Sequence, residues 1–425
     1  MTFTFEITIF KELIQKYATW EKLQQFLESE EGGLFRIIDK DDKGLCLIRY
    51  EKGTTNMSLP HSKWFRSVVW DTVSNHPVCV APCKTSSEEF PYSGLKAMQA
   101  AGILCQENLE GFMINCFQRV DDTRLHITSR SKLNAAGTFY SDKTFCELFV
   151  EAYDDTYQTK EATRFDSLVK PDQGKGELSV YYSYLVQHME HKIVKDNTEN
   201  RVHIIQRGTV YSDGRISVED MDLETIPIPS EPIVKPSYAN IVASNTSSLS
   251  EVQDWFKQIL SEKPREFQGL VLKDLQGNRW RVRSEKYSAI RSLRGNSPLV
   301  RDRFSQLYTA NLIHKYLEYY PEESWAMSVC LAETNKIIKQ LYDLYVQLHI
   351  LKAKKVEDID KMFHPHLYSL HGMYLSQLRP SGKVMTQQAV QLYLHKQPWQ
   401  RLSFLIRKRV NLRDVVSLVR NELDG

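Results

Sequence analysis

Residues 105–117 read CQENLEGFMINCF, and the interpretation of the whole chain depends on this stretch. A short apolar strand enters a turn at Asn108-Leu109-Glu110-Gly111, and a second strand, GFMINCF, leaves it. A turn of the form x-x-[Asp/Glu]-Gly predicts by itself no more than a hairpin. Its meaning depends on which other polar segments accompany it, and in what order.

Composition limits the possible classes of protein. The 425 residues are 42% hydrophobic and 25% charged, with a net charge of +2, which is typical of a folded protein of two or three domains. Any nucleic-acid binding must therefore come from a local basic patch. No apolar run approaches the roughly 20 residues that span a bilayer, and the charged N-terminus does not match a secretory signal. We expect no membrane partner, a cytoplasmic location, and buried thiols at Cys79 and Cys83.

Hydrophobic periodicity predicts two domains. Residues 10–33 have helical spacing up to Gly32-Gly33, after which strand patterns dominate, and from about residue 300 the pattern is helical. Two hairpins are predicted, around Asp42-Lys43-Gly44 and Asn75-His76-Pro77. We therefore predict an α+β fold. Antiparallel sheets with flanking helices occupy residues 1–295, with a Pro- and Ser-rich connector near 225–250, and an all-helical domain occupies 296–425.

Five polar segments follow one another in a characteristic order. They are a basic residue beside a strand (Arg66), a lysine after a strand (Lys84), the turn Glu110-Gly111, the strand Gly269 to Lys273, and a strand carrying Arg281 and Arg283. This order resembles the covalent nucleotidyltransferase superfamily, and in particular the phage-type ATP-dependent RNA ligases, including the ligase-like proteins carried by large DNA viruses. The resemblance covers roughly residues 30–295. It implies a nucleotidyltransferase (adenylyltransferase) domain and, for a viral protein, the host cytoplasm or the virion.

The first motif of that family is Lys-x-Asp-Gly, whose lysine attacks the α-phosphate of ATP and retains AMP. Glu110 and Gly111 fit its last two positions, but Asn108 stands where the lysine is expected. An amide nitrogen is delocalised into its carbonyl and cannot act as that nucleophile. The catalytic position is therefore degenerate.

Two further motifs have lost a carboxylate, and a third has kept its positive charge. Gln268 replaces the metal-binding glutamate of the fourth motif, and an amide is a poorer ligand for a hard divalent cation. Leu185 falls where the third motif has its glutamate. In the fifth motif, Arg281 and Arg283 keep the charge of two lysines but offer a planar fork. The resemblance thus implies that the catalytic groups are lost, with no metal ligands assigned and ATP with Mg²⁺ bound weakly or as a vestige.

The phosphate-facing cations are retained. The resemblance implies that the nucleotide or its phosphates contact Arg66, Lys84, Glu110, Gly111, Arg130, Lys273, Arg281 and Arg283. A binding function survives such changes more easily than a covalent one. Our leading interpretation is a ligase-like protein that binds a nucleotide or a nucleic-acid end, such as RNA or another single strand, without forming lysyl-AMP.

Two alternatives remain open at this point. The protein could be an active ATP-dependent RNA ligase in which a displaced lysine, Lys132 or Lys84, reaches the α-phosphate. It could also be a structural or assembly protein that uses the fold as a scaffold. A basic cluster over residues 401–420 would then meet an acidic partner protein through the C-terminal helices, or RNA in the leading interpretation.

His364, His366 and His371 lack metal-site spacing and are predicted to be packing or capping residues.

Overall fold

The computed structural model describes residues 3–86, 104–220, 257–274 and 276–408. The strands are β1 (Phe3–Ile7), β2 (Arg36–Lys40), β3 (Leu45–Arg49), β4 (Val68–Asp71), β5 (His76–Val80), β6 (Leu104–Glu107), β7 (Phe112–Arg119), β8 (Asp122–Ser129), β9 (Glu177–Gln187), β10 (Arg201–Tyr211), β11 (Ile216–Asp220), β12 (Gly269–Lys273) and β13 (Arg279–Arg283). The connector predicted near 225–250 lies outside the described residues.

The α-helices are α1 (Ile9–Lys16), α2 (Trp20–Glu28), α3 (Phe145–Tyr157), α4 (Glu285–Arg294), α5 (Val300–Thr309), α6 (Ile313–Leu317), α7 (Ser324–Tyr345), α8 (His364–Met373), α9 (Gln387–His395) and α10 (Trp399–Arg407). Residues 257–262 are also helical. In the described ranges we find no helix with the length and apolar character needed to cross a membrane. Antiparallel sheets followed by a helical C-terminal region confirm the predicted α+β class.

The chain divides into two compact units, Met1–Ser288 and Ala289–Gly425, and the division falls inside α4. The first unit contains three antiparallel sheets. Their strand orders are β1-β11-β10-β9-β7-β8, β2-β3-β4-β5 and β13-β12-β6. Both predicted hairpins are present, as β2–β3 and as β4–β5, although the second turns at residues 72–75, slightly before the predicted position.

The first helical segment was predicted wrongly as one element. Two helices, α1 and α2, are separated by Tyr17 to Thr19, and Thr19 is extended, with φ −125° and ψ 153°. Because Phe10 on α1 and Leu23 on α2 both enter the same core, the chain has to change direction between them. The second helix ends at Glu28, before the glycine pair.

The two faces of the six-stranded sheet pack against different partners. Side chains alternate across a strand, so Tyr181 and Phe117 join the core beneath the four-stranded sheet, whereas Tyr182 and Tyr184 pack with Phe149 of α3 on the opposite face. The face that carries Tyr181 is also hydrogen-bonded to β5. The Ser179 hydroxyl donates to Val78 O at 2.7 Å. Where the two sheets separate, they leave a narrow cleft of about 10 Å³.

The helical unit has its own buried polar centre. The Glu323 carboxylate lies 2.5 Å from an Arg294 nitrogen and 2.8 Å from an Arg303 nitrogen, and the Tyr316 hydroxyl donates to it at 2.8 Å. Burial opposes the charge of Glu323, but the two guanidinium groups outweigh it and lower the pKa of its carboxyl. A buried acid paired with two arginines fixes the relative positions of α4, α5 and the start of α7.

Candidate anion-binding cleft

The cleft lies in the first unit, where the four-stranded and six-stranded sheets separate. Arg66 and Ser67 come directly before β4, and Ala81 follows β5. The other wall is formed by Met113 and Asn115 of β7. Arg130, which follows β8, completes the lining.

The segment after β5 connects this cleft to the three-stranded sheet. Ala81 N–H donates to Ser67 O at 3.0 Å, and Ser86 N–H donates to Arg279 O on β13 at 2.8 Å. The Cys83 thiol donates to Gly277 O, also at 2.8 Å. Residues 81–86 therefore bring the arginine-bearing strand β13 to the cleft.

Two further guanidinium groups, Arg130 and Arg279, lie within electrostatic range of Arg66, and the three are called here the guanidinium cluster. Burial and, next, the positive charges of Arg279 and Arg130 lower the pKa of Arg66 to about 10. Within the described part of the chain, none of the three groups forms an ion pair. Arg66 and Arg279 are half-buried and Arg130 is exposed, and the described residues supply no carboxylate that neutralises these like charges.

The cleft also contains polar atoms that lack hydrogen-bond partners. Arg279 Nε and Ser67 Oγ are fully buried, and neither has a partner among the described residues. An unsatisfied buried donor costs about 1–3 kcal/mol. An anion with several oxygen atoms is the ligand that such donors would satisfy.

The Tyr50 ring lies near two cations, Arg130 of the cluster and Lys84. The Arg130 guanidinium lies 5.0 Å from the centre of the Tyr50 ring, and Lys84 Nζ lies 5.9 Å from it. Cys83 lies in the same field: burial raises the pKa of its thiol, while the charges of Arg279 and three other cations oppose the increase. The structure thus places Lys84 and Arg130 beside the same ring, with Arg130 within electrostatic range of Arg66.

Asn108 lies in the link between β6 and β7, where the three-stranded sheet joins the six-stranded one. Its N–H donates to Gly269 O at 2.9 Å, which continues the β6–β12 ladder by one residue. Its side-chain nitrogen Nδ2 is buried, and the described residues offer it no hydrogen-bond partner. Asn108 is therefore held by its backbone, and its side-chain amide donor is unsatisfied among the described residues.

Glu110 is not available to a nucleotide. Its carboxylate is 5% exposed and accepts hydrogen bonds from the N–H groups of Ile193, Val194 and Lys195, at 3.0 to 3.2 Å. Gly111 is also structural, because a Cβ there would lie 2.4 Å from Val186 O on β9. These two residues fix the turn that presents Asn108.

Lys273 is likewise occupied elsewhere. Both oxygens of Asp220 lie 2.8 Å from its Nζ, and the lysine is 2% exposed. Burial lowers the pKa of Lys273, and the Asp220 charge opposes this effect. We had assigned Lys273 to phosphate contact from the sequence; in the structure it neutralises a buried carboxylate at the end of β11.

The three arginines of β13 share one face of the strand. Arg279, Arg281 and Arg283 lie opposite Lys273, Val271 and Gly269 of β12, and the chain from Gln106 to Asn108 continues that face on β6. Four residues along a strand span about 13 Å, so this face extends from the guanidinium cluster to the Asn108 turn. Arg281 and Arg283 are exposed.

The residues do not fit the magnesium that the ligase resemblance implies. Leu185 pairs with Met113 and lies on the cleft side of β9, so the expected glutamate is an apolar side chain. Gln268 supplies a neutral amide. The described ranges contain no group of three or more His, Cys, Asp or Glu residues able to hold a metal ion. The cleft presents hydrogen-bond donors, whereas a magnesium site needs oxygen acceptors.

Sequence reasoning missed several groups of this site. Arg279 is not among the residues assigned from the sequence, although its period-two spacing with Arg281 and Arg283 predicts that the three share one face of a strand. Tyr50, Ser67 and Asp220 carry no motif, because only the packing of distant strands brings them to the cleft.

The histidines of the helical unit behave as predicted, as packing residues. His366 is 4% exposed, and its Nδ1 lies 3.1 Å from the Tyr393 hydroxyl. His364 Nε2 contacts Ile359 O at 2.8 Å, and His371 stacks on His349 with ring centres 3.9 Å apart. Cys79 and Cys83 are buried free thiols, also as predicted.

Comparison with known proteins gives a limited result. No protein-family model matches the chain, and no curated protein matches it. Among solved structures, an archaeal ATP-dependent RNA ligase is similar at 8% identity and a TM-score of 0.35, covering 71% of this chain and 68% of the ligase. A putative ATP-dependent DNA ligase from Aquifex aeolicus is similar at 11% identity and a TM-score of 0.34, covering 84% and 80%. Similarity at this level assigns neither family nor activity.

Proposed function

We propose that this chain is a ligase-like protein that binds a phosphate-bearing nucleotide or nucleic-acid end in the cleft and does not form lysyl-AMP. The observation that carries the proposal is the guanidinium cluster. Three arginines that lack a carboxylate partner in the described structure, next to buried unsatisfied donors, form a surface suited to phosphate oxygens. Arg281 and Arg283 extend the same strand toward solvent, where a polynucleotide backbone would follow.

The absence of covalent chemistry follows from Asn108. Its amide cannot attack an α-phosphate, and Glu110 and Lys273 are committed to structural contacts. The proposed function therefore keeps phosphate recognition and excludes the step that needs an amine.

A second candidate, an active ligase with a displaced lysine, is supported by one observation. Lys84 Nζ contacts the same Tyr50 ring as Arg130. Lys132 is a weaker candidate, because its Nζ lies 3.5 Å from Asp39 in a different surface pocket. Transfer of AMP to Lys84 would leave a covalent adduct that peptide mapping locates.

Binding is tested with 5′-phosphorylated single-stranded RNA and with the same strand carrying a 5′-hydroxyl. We expect the phosphorylated strand to bind more tightly at low salt, and Arg66→Gln to remove most of that difference. Equal binding of both strands, unchanged in the variant, would contradict end recognition. No binding at low salt would favour a scaffold protein.

A further inference from the structure

We propose that the guanidinium cluster binds the phosphates of its ligand directly, without a bridging divalent cation. This inference rests on the proposed function and deepens it, because it specifies the ionic form of the ligand. The ligand class is a fully ionised polyphosphate or phosphomonoester, as opposed to its magnesium complex.

The first argument is the chemistry of the unsatisfied atoms. Arg279 Nε can only donate a hydrogen bond, and it is buried without a partner in the described structure. A phosphate oxygen accepts such bonds, whereas a hydrated magnesium ion offers only further donors. The arrangement is therefore complementary to bare phosphate oxygens.

The second argument concerns the acceptors that remain near the cleft. The Asn115 side-chain oxygen already accepts from the Ser183 hydroxyl at 2.7 Å. Both oxygens of Asp220 are held by Lys273, at 2.8 Å each. Among the residues described, these acceptors are engaged within the fold, and a cation entering the cleft gains little from them.

The third argument is charge. A divalent cation stabilises a bound triphosphate by neutralising its oxygens, and three guanidinium groups with Lys84 nearby perform that task here. Two more positive charges beside the cluster would be repelled by it, and the described residues that line the cleft include no Asp or Glu to compensate them. Magnesium bound to the ligand also removes two of the negative charges that the arginines attract.

The test is a titration of the full-length protein with ATP, either with EDTA or with saturating magnesium at the same ionic strength. We expect ATP in EDTA to bind at least as tightly as magnesium-ATP, by up to about tenfold. Binding that requires magnesium, or that tightens tenfold with it, would overturn the inference and leave phosphate binding itself intact. If neither ATP nor 5′-phosphorylated RNA binds under either condition, the proposed function fails as well.

Matched variants assign the effect to the cluster. Arg66→Gln, and separately Arg130→Gln at an exposed position, should weaken ATP binding in EDTA by roughly 10-fold or more, the range expected for a charged hydrogen bond. Arg124→Gln is the control. Arg124 pairs with Asp122 on β8 and lies six residues before Arg130, so the two arginines are about 20 Å apart along an extended chain. Equal losses in the control and in the cluster variants would overturn the assignment. Circular dichroism of each variant verifies folding, and Arg130→Gln supplies the answer if Arg66→Gln does not fold.

Discussion

Position 108 holds an amide where the ligase pattern has an amine, and the structure gives that amide no partner among its described neighbours. The residue is nevertheless firmly placed, by its own backbone bond to Gly269 and by the Glu110 carboxylate two residues later. The turn is therefore ordered by contacts that leave the Asn108 side chain unsatisfied among the described residues. The proposed function starts from this unsatisfied amide.

Restoring the amine alone should not restore the reaction. We expect Asn108→Lys to form no lysyl-AMP with ATP and magnesium, because Gln268 and Leu185 provide no carboxylate to hold the metal. Intact mass measurement after incubation checks this. An AMP adduct on the introduced amine would show that those carboxylates are dispensable, and wild-type protein treated identically is the control.

His203 predicts a pH dependence of stability. Burial, reinforced by the charges of Arg201 and Lys195, lowers its pKa to about 4, whereas an unfolded histidine titrates near 6.5. Between these values the unfolded chain binds more protons, so the free energy of unfolding should fall as the pH falls from about 6.5 to 4 and level off below. The full contribution is at most about 3 kcal/mol.

Urea unfolding across this pH range measures the effect. His203→Gln should make the slope between pH 4 and 6.5 shallower. Other groups contribute the remaining slope, among them His366, whose pKa burial lowers to about 4, and His61, whose pKa burial also lowers. A variant with the wild-type slope would show that His203 is not titrating within the fold.

At the scale of elements, β13 is the most informative strand. Its arginines alternate with Trp280 and Val282, so one face carries charge while the other packs on apolar residues. Because Arg281 and Arg283 are exposed, their removal should weaken RNA binding and change the free energy of unfolding by under about 0.5 kcal/mol.

Salt dependence checks the prediction for β13. We expect the double variant Arg281→Ala, Arg283→Ala to lower the salt slope of single-strand binding by about 1.4, or 0.7 for each lost phosphate contact. Unchanged affinity and slope would remove both arginines from the interface. Arg124→Ala is again a suitable control for the loss of charge.

Close packing of β7 against β9 makes Gly111 irreplaceable. Gly111→Ala would place a Cβ 2.4 Å from Val186 O, and we expect it to destabilise the protein by about 1–3 kcal/mol. Gly137→Ala is the matched control, because its Cβ would meet Phe145 at 3.7 Å, an ordinary contact. Denaturant unfolding compares them. Equal stability of the two variants would contradict the assigned role.

Elements were more predictable from the sequence than contacts. Alternating apolar residues placed both hairpins and the paired strands β12 and β13, because strand pattern and turn residues are local properties. The partner of Lys273 was not predictable, because Asp220 lies 53 residues away and no motif marks it. The split between α1 and α2 was missed for a related reason: the helical spacing continues through Tyr17, and only the shared core requires the break.

At the scale of the whole molecule, the net charge of +2 is the sum of a negative first unit and a positive second unit. Residues 1–288 contain 35 Lys and Arg against 41 Asp and Glu, and residues 289–425 contain 20 against 12. The guanidinium cluster is therefore a local positive site in an acidic unit, which favours recognition of a defined phosphate over general polyanion attraction. The helical unit carries the general positive charge.

The ligase pattern does not give the role of each side chain. Arg66 precedes β4 and Lys84 follows β5, and the antiparallel pairing of these two strands places both residues toward the same end. Glu110 and Lys273 occupy their motif positions but serve the fold, a distinction that depends on partners in other strands.

Intact mass of the wild-type protein, before and after incubation with ATP and magnesium or manganese, tests the central claim most directly. The account predicts one mass throughout, corresponding to the unmodified chain. A species heavier by one AMP, with the adduct mapped to Lys84 or another lysine of the cleft, would contradict it.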